Sequence, residues 1–180
     1  LSITEWELFT GILPPLNIES WNKYFEQYKL IPQYQLLYFD MTLDEFKIIF
    51  YWEYVHRVLG RIIGLFFLIP LVYFYLIKKI DNRYLGKCFV IMFLILIQGV
   101  IGWFMVTSGL VDNTTVSHYR LSLHLLLAVI IISLIFWLLL NLKNKSFNKF
   151  YQISIKNFYF YIMIFLVFLQ IVFGAFVSGL

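Results

Sequence analysis

The sequence predicts an all-α integral membrane protein with four transmembrane helices. Of the 180 residues, 62% are hydrophobic and 13% are charged, whereas about 25% of the residues in a soluble domain are charged. The mean hydropathy is +0.83. The chain contains four long runs without a charged residue, and about 20 apolar residues suffice to cross a bilayer. This composition excludes a soluble enzyme, and the 20 Phe and 13 Tyr exclude a disordered chain.

The uncharged runs place the four spans. The helix of the first span is free to begin before the span itself, because Leu43–Tyr54 contains no Gly or Pro. Pro70 lies inside this first span, where membrane helices tolerate proline. The predicted spans cover about residues 55–77, 88–107, 119–141 and 157–178.

The charges between the runs predict the orientation. Residues 51–180 are expected to form the membrane bundle, and residues 1–50 an outer segment that contains seven acidic residues and three lysines. The loops Lys78–Lys87 and Lys143–Lys156 each carry four basic residues. Basic loops stay on the inner side of a membrane. The amino-terminal segment and the Thr107–Ser117 loop are therefore expected outside, and the net charge of +4 needs no nucleic-acid partner.

The outer segment is also rich in aromatic residues and is broken by prolines. Trp6 and Trp21 suit a membrane interface, and Pro14, Pro15 and Pro32 interrupt regular structure. Short helices lying on the outer surface of the membrane are therefore expected.

Ionisable residues gather at the outer ends of the first and third spans. Charged groups are costly in a bilayer, so these residues are functional candidates. Residues four apart share a helix face, which brings Glu53 toward Arg57 and Arg120 toward His124. The full set is Glu53, His56, Arg57, Arg61, His118, Arg120 and His124.

Two histidines lie at matching depth. About 33 Å of helix separates His56 from Lys78, and about 28 Å separates His124 from Lys143. Imidazoles at one level on neighbouring helices suit the two faces of a heme, whose iron takes histidine as an axial ligand. His118 is a weaker candidate ligand, since it points largely away from His124.

Other interpretations of these residues stay open. Arg57, Arg61 and Arg120 suit the anionic propionates of a heme, but the same arginines also extend to a membrane surface for solvation alone. Glu53 and His56 form one Glu-x-x-His pair, which is half of a di-iron motif. A non-enzymatic cytochrome b with two histidine ligands, and a transporter or structural subunit, are the alternatives to an enzyme.

Several motifs resemble those of the heme A synthases. The chain is most similar to the alphaproteobacterial and mitochondrial branch of that family. The matching segments are Trp52–Arg57 with Gly60–Gly64, Gln98–Leu110, Ser117–His124, and the opening Leu1–Trp6 with Gly11–Leu16.

The resemblance implies a larger fold, in which two four-helix bundles contain eight spans. This chain is then expected to be a fragment that covers the second to fifth spans, most of one bundle, and that is inactive alone. His56 and His124 would bind the iron of heme O, and Glu53 would be the catalytic acid or base. A heme b cofactor would lie in the second bundle.

The reaction implied by the resemblance converts a methyl group of heme O to a formyl group, giving heme A for cytochrome oxidase. It proceeds by successive hydroxylations and loss of water. The implied partners are the lipid bilayer, heme O with the heme O synthase that supplies it, and an electron donor. A homo-oligomer stays open, and the implied location is the bacterial or mitochondrial inner membrane.

Overall fold

The computed structural model describes residues 2–4, 13–109, 114–145 and 157–178. Four of its helices are long and apolar enough to cross a membrane, which confirms the predicted all-α fold with four spans. Asp112, most of the Lys143–Lys156 loop and the Glu5–Trp6 part of the opening motif lie outside the described residues. Along the described chain the helices are α1 (Ile18–Lys29), α2 (Pro32–Leu37), α3 (Leu43–Leu76), α4 (Asn82–Gly109), α5 (His118–Lys143) and α6 (Phe158–Ser178).

The chain divides into two compact units. The first contains Leu1–Ile63 and Ile101–Ser117, and the second contains Gly64–Val100 and His118–Leu180. Glu53 and His56 therefore belong to the first unit, and His124 belongs to the second.

Local sequence signals begin the two short helices. The side chain of Asn17 caps α1 by accepting a hydrogen bond of 2.8 Å from the backbone N–H of Ser20. Pro32 occupies the start of α2, where its missing N–H costs nothing. Short helices in the outer segment were expected, and their position at the membrane surface stays a prediction.

The first unit has an aromatic core around Tyr28. Tyr28 and Phe46 are fully buried, and their ring centroids lie 5.2 Å apart. Phe46 comes from α3, so the first turns of that helix pack against α1. The buried residues of this core are Ile3, Trp21, Phe25, Tyr28, Ile31, Phe46 and Phe50.

Helix α3 begins before the predicted first span. Thr42 and Glu45 form a capping box, in which Glu45 Oε2 accepts from the N–H and hydroxyl of Thr42 at 2.8 Å. The 34 residues of α3 extend about 51 Å, well beyond a hydrocarbon core about 30 Å thick. The helix continues through Pro70.

Helix α3 ends in a Schellman motif without glycine. The N–H of Lys79 donates to Phe74 O at 3.0 Å, and the N–H of Lys78 donates to Tyr75 O at 3.1 Å. Lys78 takes the left-handed conformation, with φ 52°. Helix α4 follows at Asn82, earlier than the predicted span, because the Asp81 carboxylate accepts from the Arg83 N–H at 2.8 Å.

In the second unit, α5 packs along α6. Ser122 is buried, and its hydroxyl donates to Val172 O at 3.4 Å. A second core joins Tyr84 and Ile91 of α4 to Leu138 of α5. These contacts set the position of α5, which carries His124.

Large apolar side chains on the spanning helices are mostly exposed. Phe66, Ile132 and Tyr159 are 79%, 66% and 83% exposed. A bilayer, or further protein, supplies the apolar surroundings that such surfaces require. At Gly60 and Gly64 an added Cβ would meet no described atom within 4 Å apart from the nearby backbone of its own helix.

Candidate functional site

The Glu53 carboxylate is held by a segment from the start of the chain. Its Oε2 atom accepts hydrogen bonds from the N–H of Ser2 at 2.7 Å, the hydroxyl of Ser2 at 2.9 Å and the N–H of Ile3 at 3.3 Å. About 50 residues of sequence separate donor from acceptor. The contact is therefore a tertiary feature, which helical spacing does not predict.

Arg57 completes this arrangement from the next turn of α3. Its Nη2 atom donates to Glu53 Oε1 at 2.6 Å and to the backbone oxygen of Ile3 at 3.0 Å. The side chains of Arg57 and Glu53 are only 11% and 18% exposed. The ion pair is therefore largely shielded from solvent, where charge-assisted hydrogen bonds are strong.

The surrounding donors favour a negatively charged Glu53 with a defined orientation. Two backbone N–H groups, one hydroxyl and one guanidinium all point at its oxygens. A carboxylate held in this way is suited to stabilising positive charge in a bound substrate, and the same donors oppose its protonation. The role of Glu53 as the catalytic acid or base stays a prediction.

His56 lies on an open surface of α3. Its side chain is exposed in the chain, and its neighbours Trp52 and Leu59 are 76% and 51% exposed. Gly60 follows one turn later, and an added Cβ there would meet no described atom within 4 Å apart from the nearby backbone of its own helix. An accessible imidazole beside apolar side chains and an open glycine fits a flat, apolar macrocycle with an iron to ligate.

His124 is half-buried on α5, and its Nδ1 atom is shielded from solvent. Gln98 of α4 reaches this level, and its Nε2 atom donates to the backbone oxygen of His124 at 3.0 Å. Only the amide nitrogen can donate to a carbonyl, so this contact fixes which way the Gln98 amide points. A hydrogen bond between α4 and α5 is therefore formed at His124, the candidate heme ligand.

The remaining candidates occupy less defined positions. His118 is partly buried at the start of α5, and its ring centroid lies 5.2 Å from that of Phe176. Arg61 and Arg120 are also partly buried. The proposed roles of His118 as a ligand and of Arg57, Arg61 and Arg120 as propionate partners stay predictions, as does the pairing of His56 with His124.

Clusters typical of other metal centres are absent from the described residues. No three His, Cys, Asp or Glu side chains come together there in a way that could hold a metal ion. A heme takes at most two axial ligands from the protein, and imidazole is a common one. The imidazoles of His56 and His124 are of the type that ligates heme iron.

Sequence reasoning missed three residues of this region. Ser2, Ile3 and Gln98 lie within motifs that carried the family resemblance, but none was assigned a role. Ser2 and Ile3 have no local signal, because their partners are distant in sequence. Gln98 is a polar residue inside an apolar run, and this position is a signal that would have identified it.

Comparison with known proteins gives a consistent result across the whole chain. Residues 1–180 match the model of the COX15-CtaA family, described as cytochrome oxidase assembly protein. Proteins named heme A synthase from Pelagibacter ubique, Flavobacterium psychrophilum and Rickettsia canadensis are 54%, 43% and 42% identical. Each alignment covers 100% of this chain and 53%, 53% and 54% of the relative, respectively.

The chain spans about half the length of the curated relatives it matches. No solved structure matches it. The relatives include alphaproteobacterial proteins, and the resemblance to the heme A synthases that the motifs predicted is confirmed. The chain belongs to the COX15-CtaA family of cytochrome oxidase assembly proteins.

Proposed function

We propose that this chain is part of a heme A synthase, which oxidises a methyl group of heme O to a formyl group. The observation that carries the proposal is the 54% identity, over the entire chain, to a protein named heme A synthase. The shielded Glu53–Arg57 pair next to His56 adds support, because it supplies an oriented, negatively charged carboxylate beside a candidate heme ligand.

His56 and His124 bind the heme iron in this proposal, and heme O is the substrate that contributes the methyl group. Arg61 and Arg120, with Arg57, pair with the propionates, because guanidinium groups form bidentate hydrogen bonds with carboxylates. The apolar side chains around His56 take the isoprenoid-type tail. Glu53 accepts a proton or stabilises charge as the methyl group is oxidised.

The whole protein acts as a multi-pass membrane enzyme in this proposal. Its second bundle, beyond this chain, holds heme b and carries electrons, so residues 1–180 alone produce no heme A. An electron donor and a heme O synthase are its partners. The membrane is a bacterial or mitochondrial inner membrane, and the amino-terminal segment faces outward.

The test replaces single residues in the full-length protein and identifies the hemes extracted from it by mass. We expect Glu53→Ala to retain bound heme O but to lose heme A. We expect His56→Ala and His124→Ala to alter the Soret spectrum and to lower the amount of bound heme O. Glu26→Ala is the matched control for Glu53, because Glu26 is an exposed acid, 68% exposed, on α1.

Four outcomes would contradict the proposal in different ways. A normal yield of heme A from Glu53→Ala would remove the catalytic role of that residue. An unchanged heme spectrum after both histidines are replaced would remove the ligand assignment. A protein that holds only heme b and consumes no heme O would be an electron-transfer cytochrome, and one without Soret absorbance would be a transporter or structural subunit.

A further inference from the structure

The contact between Ser2 and Glu53 joins two distant parts of the first unit. Ser2 is 1% exposed. Its N–H and hydroxyl both donate to Glu53 Oε2, at 2.7 and 2.9 Å, and its hydroxyl also lies 3.3 Å from the backbone oxygen of Ile49. One buried residue therefore contributes two of the donors that surround this carboxylate.

The two oxygens of Glu53 have different kinds of partners. Oε2 accepts from Ser2 and Ile3, whose N–H groups belong to the backbone and have little freedom to move. Oε1 accepts from the guanidinium of Arg57 at 2.6 Å. The same guanidinium donates to Ile3 O at 3.0 Å. The segment of Ser2 and Ile3 therefore contacts Oε2 directly and also contacts Arg57, the partner of Oε1.

We propose that Ser2 is a positioning residue for Glu53, which orients the carboxylate toward the heme substrate. This inference rests on the proposed function, since it assumes that Glu53 acts in the reaction. Ser2 touches Glu53 through Oε2 and has no direct role in the chemistry. Without the Ser2 hydroxyl, the carboxylate keeps two backbone donors and Arg57 but loses one of the three donors to Oε2.

To act in the reaction, Glu53 needs a fixed orientation and hydrogen-bond donors that are already in place, and the segment of Ser2 and Ile3 contributes to both. A glutamate side chain on a helix has several rotamers, and catalysis needs one of them in place before the substrate binds. Donors preset around a carboxylate also replace water and need no rearrangement during the reaction. Ser2 contributes to both, because it is buried and its two donors converge on one oxygen atom.

The test uses Ser2→Ala in the full-length protein, because this change removes the hydroxyl and leaves both backbone N–H groups. We expect the turnover of heme O to fall about tenfold while KM changes less than about twofold, since the loss affects orientation rather than binding. Bound heme and the unfolding temperature should stay near wild type. Ser133→Ala is the matched control, since the Ser133 hydroxyl bonds to Val129 O at 2.7 Å on an exposed part of α5.

A double-mutant cycle separates positioning from a purely structural role. If Ser2 acts through Glu53, then Ser2→Ala should cause no further loss of turnover when Glu53 is already Gln. A loss of the same factor in the Glu53→Gln background would overturn the proposal, and so would wild-type turnover of Ser2→Ala. If Ser2→Ala does not accumulate, Ser2→Cys is interpreted by the same criteria, because the thiol has a similar size and donates weakly.

Infrared spectroscopy tests the contact without relying on activity. The carboxylate stretch assigned to Glu53 by comparison with Glu53→Gln should shift when Ser2 becomes Ala, because one hydrogen bond to Oε2 is lost. An unchanged band would overturn the proposal. If the band shifts but Glu53→Gln makes heme A normally, then Ser2 orients a carboxylate that catalysis does not use. That result overturns both the catalytic role of Glu53 and the positioning role of Ser2.

Discussion

At the scale of single residues, the first unit shields two kinds of polar side chain from solvent, an ion pair and a tyrosine. Glu53 and Arg57 pair with each other and with Ser2 and Ile3, so each charge has strong partners. Tyr28 has a different environment, fully buried among aromatic rings. Burial, together with the nearby Tyr38 and Glu53, raises the pKa of Tyr28 to about 12.

The raised pKa of Tyr28 predicts how stability changes with alkaline pH. The unfolded chain releases this proton near the ordinary tyrosine pKa of about 10, whereas the folded protein retains it to about 12. The contribution of Tyr28 is therefore complete below pH 10 and is lost as the pH rises through about 12. We expect Tyr28→Phe to weaken the fall in stability between these values, measured by chemical denaturation of the full-length protein in detergent.

Another tyrosine provides the comparison for this experiment. Tyr159 lies on α6 and is 83% exposed. We expect Tyr159→Phe to retain the alkaline loss of stability that Tyr28→Phe weakens. Equal pH profiles for wild type and Tyr28→Phe would contradict the prediction.

At the scale of the elements, helix boundaries follow capping chemistry more closely than hydropathy. Thr42 and Glu45 start α3, and Asp81 starts α4, each before the apolar run begins. The hydrogen bond from the Arg83 side chain to Asp81, with a second from the Arg83 N–H, lowers the pKa of that carboxyl below its ordinary range. The carboxylate therefore stays charged, and the cap stays in place, to a lower pH.

The end of α3 predicts a stabilising substitution. Lys78 has φ 52°, a conformation that costs an L-residue with a side chain about 1 kcal/mol and that glycine adopts without strain. We therefore expect Lys78→Gly to raise the free energy of unfolding by less than about 1 kcal/mol, because the greater freedom of glycine in the unfolded chain offsets part of the relieved strain. Thermal unfolding of the full-length protein in detergent measures the change.

The neighbouring lysine serves as the matched control. Lys79 carries the same charge, but its φ is not positive. Glycine there increases the freedom of the unfolded chain and relieves no strain, so we expect Lys79→Gly to be neutral or destabilising. A stabilisation of Lys79→Gly equal to that of Lys78→Gly would show that loss of charge, and not relief of backbone strain, causes the effect.

At the scale of the whole molecule, the four spanning helices expose most of their apolar side chains, whereas the outer segment has a core of its own. The outer segment is acidic and the Lys78–Lys87 loop is basic. This asymmetry predicts an outward amino-terminal segment, because basic loops remain on the inner side.

Labelling of single cysteines tests that orientation. In full-length protein without native cysteines, we expect a membrane-impermeant maleimide to label Glu26→Cys from outside the cell or vesicle. We expect Lys79→Cys to react only after the membrane is opened. Both positions are exposed, so the side of the membrane on which each cysteine lies, and not its burial in the protein, decides whether the maleimide reaches it. Labelling of Lys79→Cys from outside, with protection of Glu26→Cys, would invert the predicted topology.

The sequence alone determined the membrane class, the four apolar spans and the family. These properties depend on composition, on run length and on motifs that are local in the chain, so they can be read without coordinates. The i,i+4 spacing also anticipated the pair between Glu53 and Arg57, because helix geometry relates residues one turn apart.

Only the tertiary structure decided what surrounds that pair. Ser2 and Ile3 reach Glu53 across about 50 residues, and Gln98 reaches the backbone of His124 across 26. Contacts of this kind depend on how chain segments fold back on one another, which no periodicity encodes. The sequence could therefore identify Glu53 and the two histidines proposed to bind heme iron. The donors that hold the Glu53 carboxylate in place are seen only in the folded structure, where the outer segment packs against α3.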